Sequence, residues 1–284
     1  MADSGKKHFS PALIPMTLVS ALFVAVPLVY ILVLSFLTKG DIWGVKEVFT
    51  LDNYRKLLDP MYADVYLDSF GLAAMTTLVS LLLGYPFSYI TAKLPARWRQ
   101  TVLFLLMAPF WLNSLIRLNG WIILLRTDGV VNAVLTGSGL LPEPAKLLFT
   151  PGSVLLGMVY GLFPFMALAI YNSTEKMDWE LVEAARDLGA SPVRAFLTVT
   201  LPQTLPGILA GSILVFVPSV GLFFISDLLG GAKTMLLGNL IKNELLTARN
   251  WPFGAALSVV MLGITALFLF IYRRITGKGL QDML

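Results

Sequence analysis

The sequence has no cysteine and a single histidine, His8. Without cysteine there can be no disulfide, thiolate metal site or cysteine nucleophile. A lone histidine in a polar N-terminal tail lacks the clustered ligands of a metal centre, so no metal site is expected. Charge is also scarce. Only 13% of the residues are Asp, Glu, Lys or Arg, against about 25% in a soluble domain. The net charge of +4 gives no nucleic-acid signal, because Lys and Arg sit at the ends of apolar segments and form no basic groove. No alternating strand pattern of a membrane barrel is present, and no repeat or low-complexity segment is visible.

What is present is hydrophobic: 57% of the 284 residues, with a mean hydropathy of +0.78. This composition describes an all-α integral membrane protein. A span needs about 20 apolar residues, and six segments meet that length: 11–37, 66–92, 101–125, 151–172, 204–229 and 252–272. The chain 1–284 is read as a single transmembrane domain. The first segment, Pro11–Leu37, follows Lys6, Lys7 and His8. It exceeds the ~7–15 apolar residues of a cleaved signal and is expected to stay as the first span. Segments on the side of the N-terminus hold 11 Lys and Arg in 58 residues, and those on the other side hold 9 in 75. By the positive-inside rule both termini face the cytoplasm. Among the outer loops, Thr50–Asp59 reads as a short amphipathic helix with Leu51, Tyr54, Leu57 and Leu58 on one face.

The most polar stretch, "EAARDLGASPVRAFLTVTLP" (Glu183–Pro202), lies in the cytoplasmic segment 173–203. Asp178 can cap a helix over Trp179–Leu188. Gly189 can end it in the left-handed conformation, and Ser191-Pro192 restarts a second helix to about Thr200. Leu181, Ala184 or Ala185, and Leu188 share one face, while Glu180, Glu183 and Asp187 share another. The pair could rest on lipid as an interfacial helix, but three acids on one face fit a docked protein better than anionic headgroups.

Glu183-Ala184-Ala185, Gly189, Val199 and Leu201-Pro202 fall at the spacings of the EAA loop. In that motif an Ile stands at the position of Val199. The stretch resembles the coupling loop of binding-protein-dependent ABC importer permeases. Further segments, "FTLDNYRKLLDP", "PFWLNSLIRLNGW", "STEKMD", "GLFFISDLLGGAKTMLLGNLI" and "NWPFGAALS", are similar to the polyamine (spermidine/putrescine) branch of that family over nearly the whole chain. The resemblance implies a six-transmembrane-helix type I ABC importer permease of the bacterial inner membrane. It implies a second permease subunit, two cytoplasmic ATPase subunits that bind ATP and Mg, and a periplasmic substrate-binding protein. It makes Glu183, Ala184, Ala185, Asp187 and Gly189 the ATPase-coupling residues. The chain itself is then non-catalytic and carries no cofactor.

Ionisable residues inside spans are costly and mark function. Asp227, with Phe223 and Phe224 one turn before it, offers a carboxylate and aromatic faces to an organic polycation. Its alternative role is a pair within the protein, with Arg117 as partner. Arg117, near Asn113, Ser114 and Asn119, is a poor ligand for a polyamine and suits a structural role, holding Asp227 or a neighbouring subunit. Trp111 and Trp121 suit interfacial anchoring. Pro218, Gly211 and Gly221 break the fifth span, as in helices that line transport cavities. "GGAKT" (Gly230–Thr234) misses the phosphate-loop pattern, because Ala232 precedes Lys233 and the earlier glycine is misplaced. Three other readings stand beside the polyamine importer. They are a permease of the same superfamily for an opine, thiamine or ferric ion, an ion-driven secondary transporter, and an intramembrane enzyme. The coupling pattern and the missing inverted repeat weigh against the second, and the missing nucleophile and metal sets against the third.

Overall fold

A computed structural model of the protein describes residues 13–40, 44–231 and 234–276. Lys6, Lys7, His8, Ala232, Lys233 and Lys278, which entered the sequence reading, lie outside the described residues. Two compact units divide the chain: the described residues of Met1–Asp59 with Ile241–Ile264, and those of Pro60–Leu240 with Thr265–Leu284. Among the described residues, five helices are long and apolar enough to cross a membrane, or six if one bent pair counts as a span.

The first unit begins with helix α1 (Leu13–Ser35). Its side chains from Leu18 to Val33 are largely exposed and apolar, as a lipid-facing span requires. A two-stranded antiparallel hairpin follows, β1 (Leu37–Lys39) and β2 (Val45–Phe49), paired Leu37 to Phe49 and Lys39 to Val45. This hairpin adds strand to a chain read as wholly helical. The short helix α2 (Asp52–Lys56) forms where the amphipathic turn is expected, and its apolar face is covered only in part, with Tyr54 and Leu57 half-buried and the Tyr54 ring 5.1 Å from that of Phe36. Leu51 and Leu58 are exposed, and Asn53 is buried. Asn53 Nδ2 donates to the carbonyls of Ser35 and Leu37, each at 2.9 Å. Carbonyls at a helix end have no intrahelical donor, so a side-chain amide anchors this turn more firmly than leucine could.

The second unit runs through α3 (Pro60–Lys93), α4 (Ala96–Met107), α5 (Ser114–Leu125), α6 (Val130–Gly137) and α7 (Pro151–Glu175). It continues through α8 (Trp179–Asp187), α9 (Pro192–Ala195), α10 (Leu201–Gly221), α11 (Phe223–Gly230) and the start of α12 (Leu237–Lys242). The last long helix of the chain is α13 (Trp251–Thr276). The centre of the unit is the packing of α3, α7 and α10. On α3 the buried residues are small: Ser69, Ala73, Thr76, Ser80, Gly84, Ser88 and Thr91. They recur every three or four positions, while Leu67, Leu78, Leu82 and Ile90 face outward. This inversion of the soluble pattern follows from lipid being as apolar as leucine, so close backbone approach and hydrogen bonds hold the helices together. Ser88 Oγ donates to Ala167 O at 2.7 Å, and Tyr85 Oη lies 2.9 Å from Thr204 Oγ1. On α10, Gly207 and Gly211 let the helix lie against α7. A β-carbon at Gly207 would sit 2.6 Å from Ala169 O, and one at Gly211 would sit 2.7 Å from Met166 Sδ.

Two expected spans are interrupted. The segment 101–125 is not one helix. The chain narrows to a 3₁₀ turn at Ala108–Trp111, Leu112 is extended, and Asn113 Oδ1 accepts from Leu115 N to cap α5. The two arms, Ala96–Trp111 and Ser114–Gly137, meet at 94°. Pro109, which has no backbone N–H, and the good cap Asn113 outweigh the continuity of apolar residues. The segment 204–229 breaks at Leu222, whose ψ of 67° lies outside the helical range. Gly221 marks that break, whereas Gly211 serves packing.

Candidate functional site

At one end of the second unit the polar loop folds by its local signals. Asp178 Oδ1 accepts from Glu180 N at 3.0 Å and starts α8. Gly189 follows with φ +87°. Ala190 N then bonds to Ala185 O at 3.0 Å and Gly189 N to Arg186 O at 2.9 Å, the paired closure of a Schellman turn. Ser191 Oγ accepts from Arg194 N at 3.3 Å, with Pro192 at the first helical position. The helix that starts there does not stop at Thr200. It passes through a π turn, Phe196–Thr200, and continues into α10 as one 30-residue helix, Pro192–Gly221. Pro202 would collide with the carbonyl four residues back in a regular helix. Widening the turn, with Leu201 N bonded to Phe196 O, relieves that clash.

No residue of α8 is buried. Glu183, Ala184, Asp187 and Gly189 are exposed and Ala185 is half-buried. Leu188 is 90% exposed and Leu181 51%. Both faces of the helix are thus available. Its attachment to the bundle is through Trp179, whose ring lies 5.6 Å from Tyr89 of α3. Lys93 Nζ stands 4.4 Å from the Tyr89 ring centroid and 5.0 Å from that of Trp179. Asp178 N also bonds to Gln203 Oε1 of α10, and Arg99 pairs with Glu175 at 3.1 Å. The sequence reading missed the Tyr89–Lys93–Trp179 cluster. Tyr89 and Lys93 are four residues apart on one helix face, a signal that was available.

The second region is α11 and its neighbours. Asp227 is half-buried. Asn239 of α12, 4% exposed, donates from Nδ2 to Asp227 Oδ1 at 2.6 Å and to Phe223 O at 3.1 Å. Its Oδ1 accepts from Leu236 N. Asn239 therefore fixes the carboxylate to the turn between α11 and α12. Phe223 lies one turn before Asp227 and is 38% exposed. Phe224 points elsewhere. It is almost perpendicular to Phe223 and lines a cavity of about 380 Å³ with Phe110, Arg117 and Tyr160. The three aromatic and acidic residues singled out in the sequence thus divide between two places.

Arg117 lies over the Phe110 ring at 4.1 Å and 5.6 Å from the Tyr160 ring centroid. Its Nη2 donates to Ser114 Oγ at 3.3 Å. Nε and Nη1 are buried and have no hydrogen-bond partner among the described residues. Trp121 packs edge-on to Tyr160 at 5.6 Å, and Trp111 is exposed. Among the described residues, no group of His, Cys, Asp or Glu is placed to hold a metal ion.

A bundle of broken apolar helices with an exposed, capped polar loop is the architecture of an importer's membrane subunit. The family described as the inner-membrane component of binding-protein-dependent transport systems matches residues 81–278, and the chain belongs to it. The spermidine/putrescine transport system permease protein PotB of Salmonella typhimurium strain SL1344 is 51% identical over 265 residues, 92% of each chain. PotB of Escherichia coli strain K12 is 50% identical over 253 residues, covering 89% of this chain and 92% of its own. The fold is also similar to that of a solved bacterial alginate ABC transporter in complex with an alginate pentasaccharide-bound periplasmic protein. That likeness has a TM-score of 0.75 and 17% identity over 95% of each chain.

Proposed function

We propose that this chain is one of two permease subunits of an ATP-driven importer that carries spermidine or putrescine across the bacterial inner membrane. The observation that carries this reading is the near-full-length likeness, at about half identity, to permeases named for those substrates. The whole chain acts as one permease with both termini in the cytoplasm. The loop 173–203 meets a separate ATPase there, and two such ATPase subunits bind ATP and Mg. Leu181 and Leu188 supply the apolar contact, small Ala184, Ala185 and Gly189 allow close approach, and Glu183 and Asp187 supply charge at the rim. A periplasmic protein delivers the substrate. Asp227 accepts from one ammonium group, a charge-assisted bond of about 1.5–3 kcal/mol. Phe223, on the same face, takes an adjacent part of the cation against its ring. Phe224 closes the neighbouring wall.

The test is reconstitution of the chain with the second permease, the ATPase and the binding protein in sealed vesicles. ATP-dependent uptake of labelled spermidine or putrescine is expected, and the chain alone should neither transport nor hydrolyse ATP. A complete complex that imports another solute and ignores both polyamines would refute the substrate. Uptake by the chain alone would refute the subunit role.

A further inference from the structure

We propose that the Arg117 cavity is the socket for a carboxylate side chain of the companion permease, so that an ion pair inside the membrane joins the two subunits. This rests on the two-permease reading above. The guanidinium is well provided for on its faces and poorly on its edges. Phe110 and Tyr160 cover its plane, and aromatic rings attract a cation through that face. The in-plane N–H groups need acceptors, and Ser114 takes one, leaving Nε and Nη1 buried without a partner. Buried N–H groups of a cation left in that state are unfavourable, and lipid hydrocarbon has no acceptor to offer. The missing group is an anion, whose oxygens accept from such N–H groups and balance the charge.

Among the described residues this need is not met. Asp227 is held by Asn239 and does not line the cavity. The polyamine cannot meet it, since ammonium groups bring only donors and the same charge. The occupant therefore comes from outside the chain. The cavity is rimmed by Phe165 of α7 and Leu214 of α10, both exposed, in helices apolar enough to cross a membrane. An exposed apolar rim around a half-buried arginine resembles the arrangement of an interface hot spot. A membrane-embedded partner bearing Asp or Glu fits both its chemistry and its depth.

The experiment uses the tagged chain co-expressed with its companion permease and ATPase, purified into nanodiscs, and compares wild type with Arg117→Met. Removing one member of a buried charge pair should lower recovery of the companion at least about 30-fold. The isolated Arg117→Met chain should melt at the same temperature as wild type or higher, because an uncompensated buried charge is gone. Neutralising each membrane-embedded acid of the companion should reveal one whose loss is not additive with Arg117→Met. Full recovery of the companion by Arg117→Met overturns the inference. So does a lower melting temperature of the isolated variant, which would make Arg117 an internal strut. A defect seen in phosphatidylglycerol nanodiscs and absent in phosphatidylcholine ones overturns it too, by assigning the socket to an anionic lipid headgroup. If wild type recovers no companion at all, the two-permease reading fails and the inference falls with it.

Discussion

The polar loop around α8 and the α11–α12 turn lie in the same unit and solve opposite problems. The loop's helix α8 has no buried residue, and its shape is set by neighbours in sequence: Asp178 as cap, Gly189 at φ +87° and Ser191-Pro192 as restart. The α11–α12 turn encloses a half-buried carboxylate, and its shape is set by Asn239, twelve residues away from Asp227. Local turn chemistry suffices where a surface only has to be presented. A charge that is half removed from water needs a dedicated partner. The same contrast separates two glycines. Gly189 has open space around it and a backbone that only glycine adopts easily, whereas Gly207 has an ordinary helical backbone and no room for a β-carbon.

The strongest way to probe that contrast is at the carboxylate. Asp227→Asn keeps the shape and the contact with Asn239 while removing the charge. The polyamine concentration for half-maximal uptake should rise about 10- to 150-fold, with the complex intact. Unchanged uptake kinetics would take Asp227 out of the substrate path. Asn239→Leu should have a smaller effect of about fivefold, since it loosens the carboxylate without deleting it.

The loop should respond to backbone conformation and not to side-chain volume. Gly189→Val should reduce ATPase recovery by about tenfold, because a β-branched residue is strained at positive φ by roughly 1–2 kcal/mol. Gly189→Asn, which tolerates that region, should stay near wild type. Equal defects in the two variants would point to steric exclusion by the partner instead of the turn. The weakest expected effect is at the link between loop and bundle. Lys93→Met removes a cation–π contact of about 0.5–1 kcal/mol, so uptake per ATP hydrolysed should fall about 2- to 5-fold while ATPase binding is retained. Loss of ATPase binding in that variant would show that Lys93 builds the docking surface itself.

These contrasts also explain what could be read in the chain beforehand. The spans, the helix over Trp179–Asp187 and its glycine stop were legible because hydrophobic length and capping are local signals. The break at Ala108–Trp111 was hidden by apolar residues running through it, although Pro109 and Asn113 marked the place, whereas the break after Gly221 was legible and α10 runs unbroken through Gly211 and Pro218. The separation of Phe224 from Phe223 and Asp227 was beyond a reading by proximity in sequence. Adjacent residues on a helix diverge by about 100°, and the cavity walls come from α5, α7 and α10. Asn239 carried a faint signal, an amide within the apolar run "LLGNLI". Only the tertiary fold shows that it meets Asp227.

The uninterrupted helix Pro192–Gly221 has a mechanical meaning. It can act as a connecting rod: one end is joined to the exposed loop by the Ser191 cap, and the other stops at the wrist of Gly221-Leu222, with Leu222 two residues before the Phe224 wall and five before Asp227. Thirty residues at about 1.5 Å each make a rod of about 45 Å, and tilting it by about 5° about its loop end displaces the wrist by about 4 Å. That stroke exceeds the 2.6 Å that separates Asn239 from Asp227. A modest rocking at the loop is geometrically enough to part or close the polar contact that aims the carboxylate, without any helix having to melt.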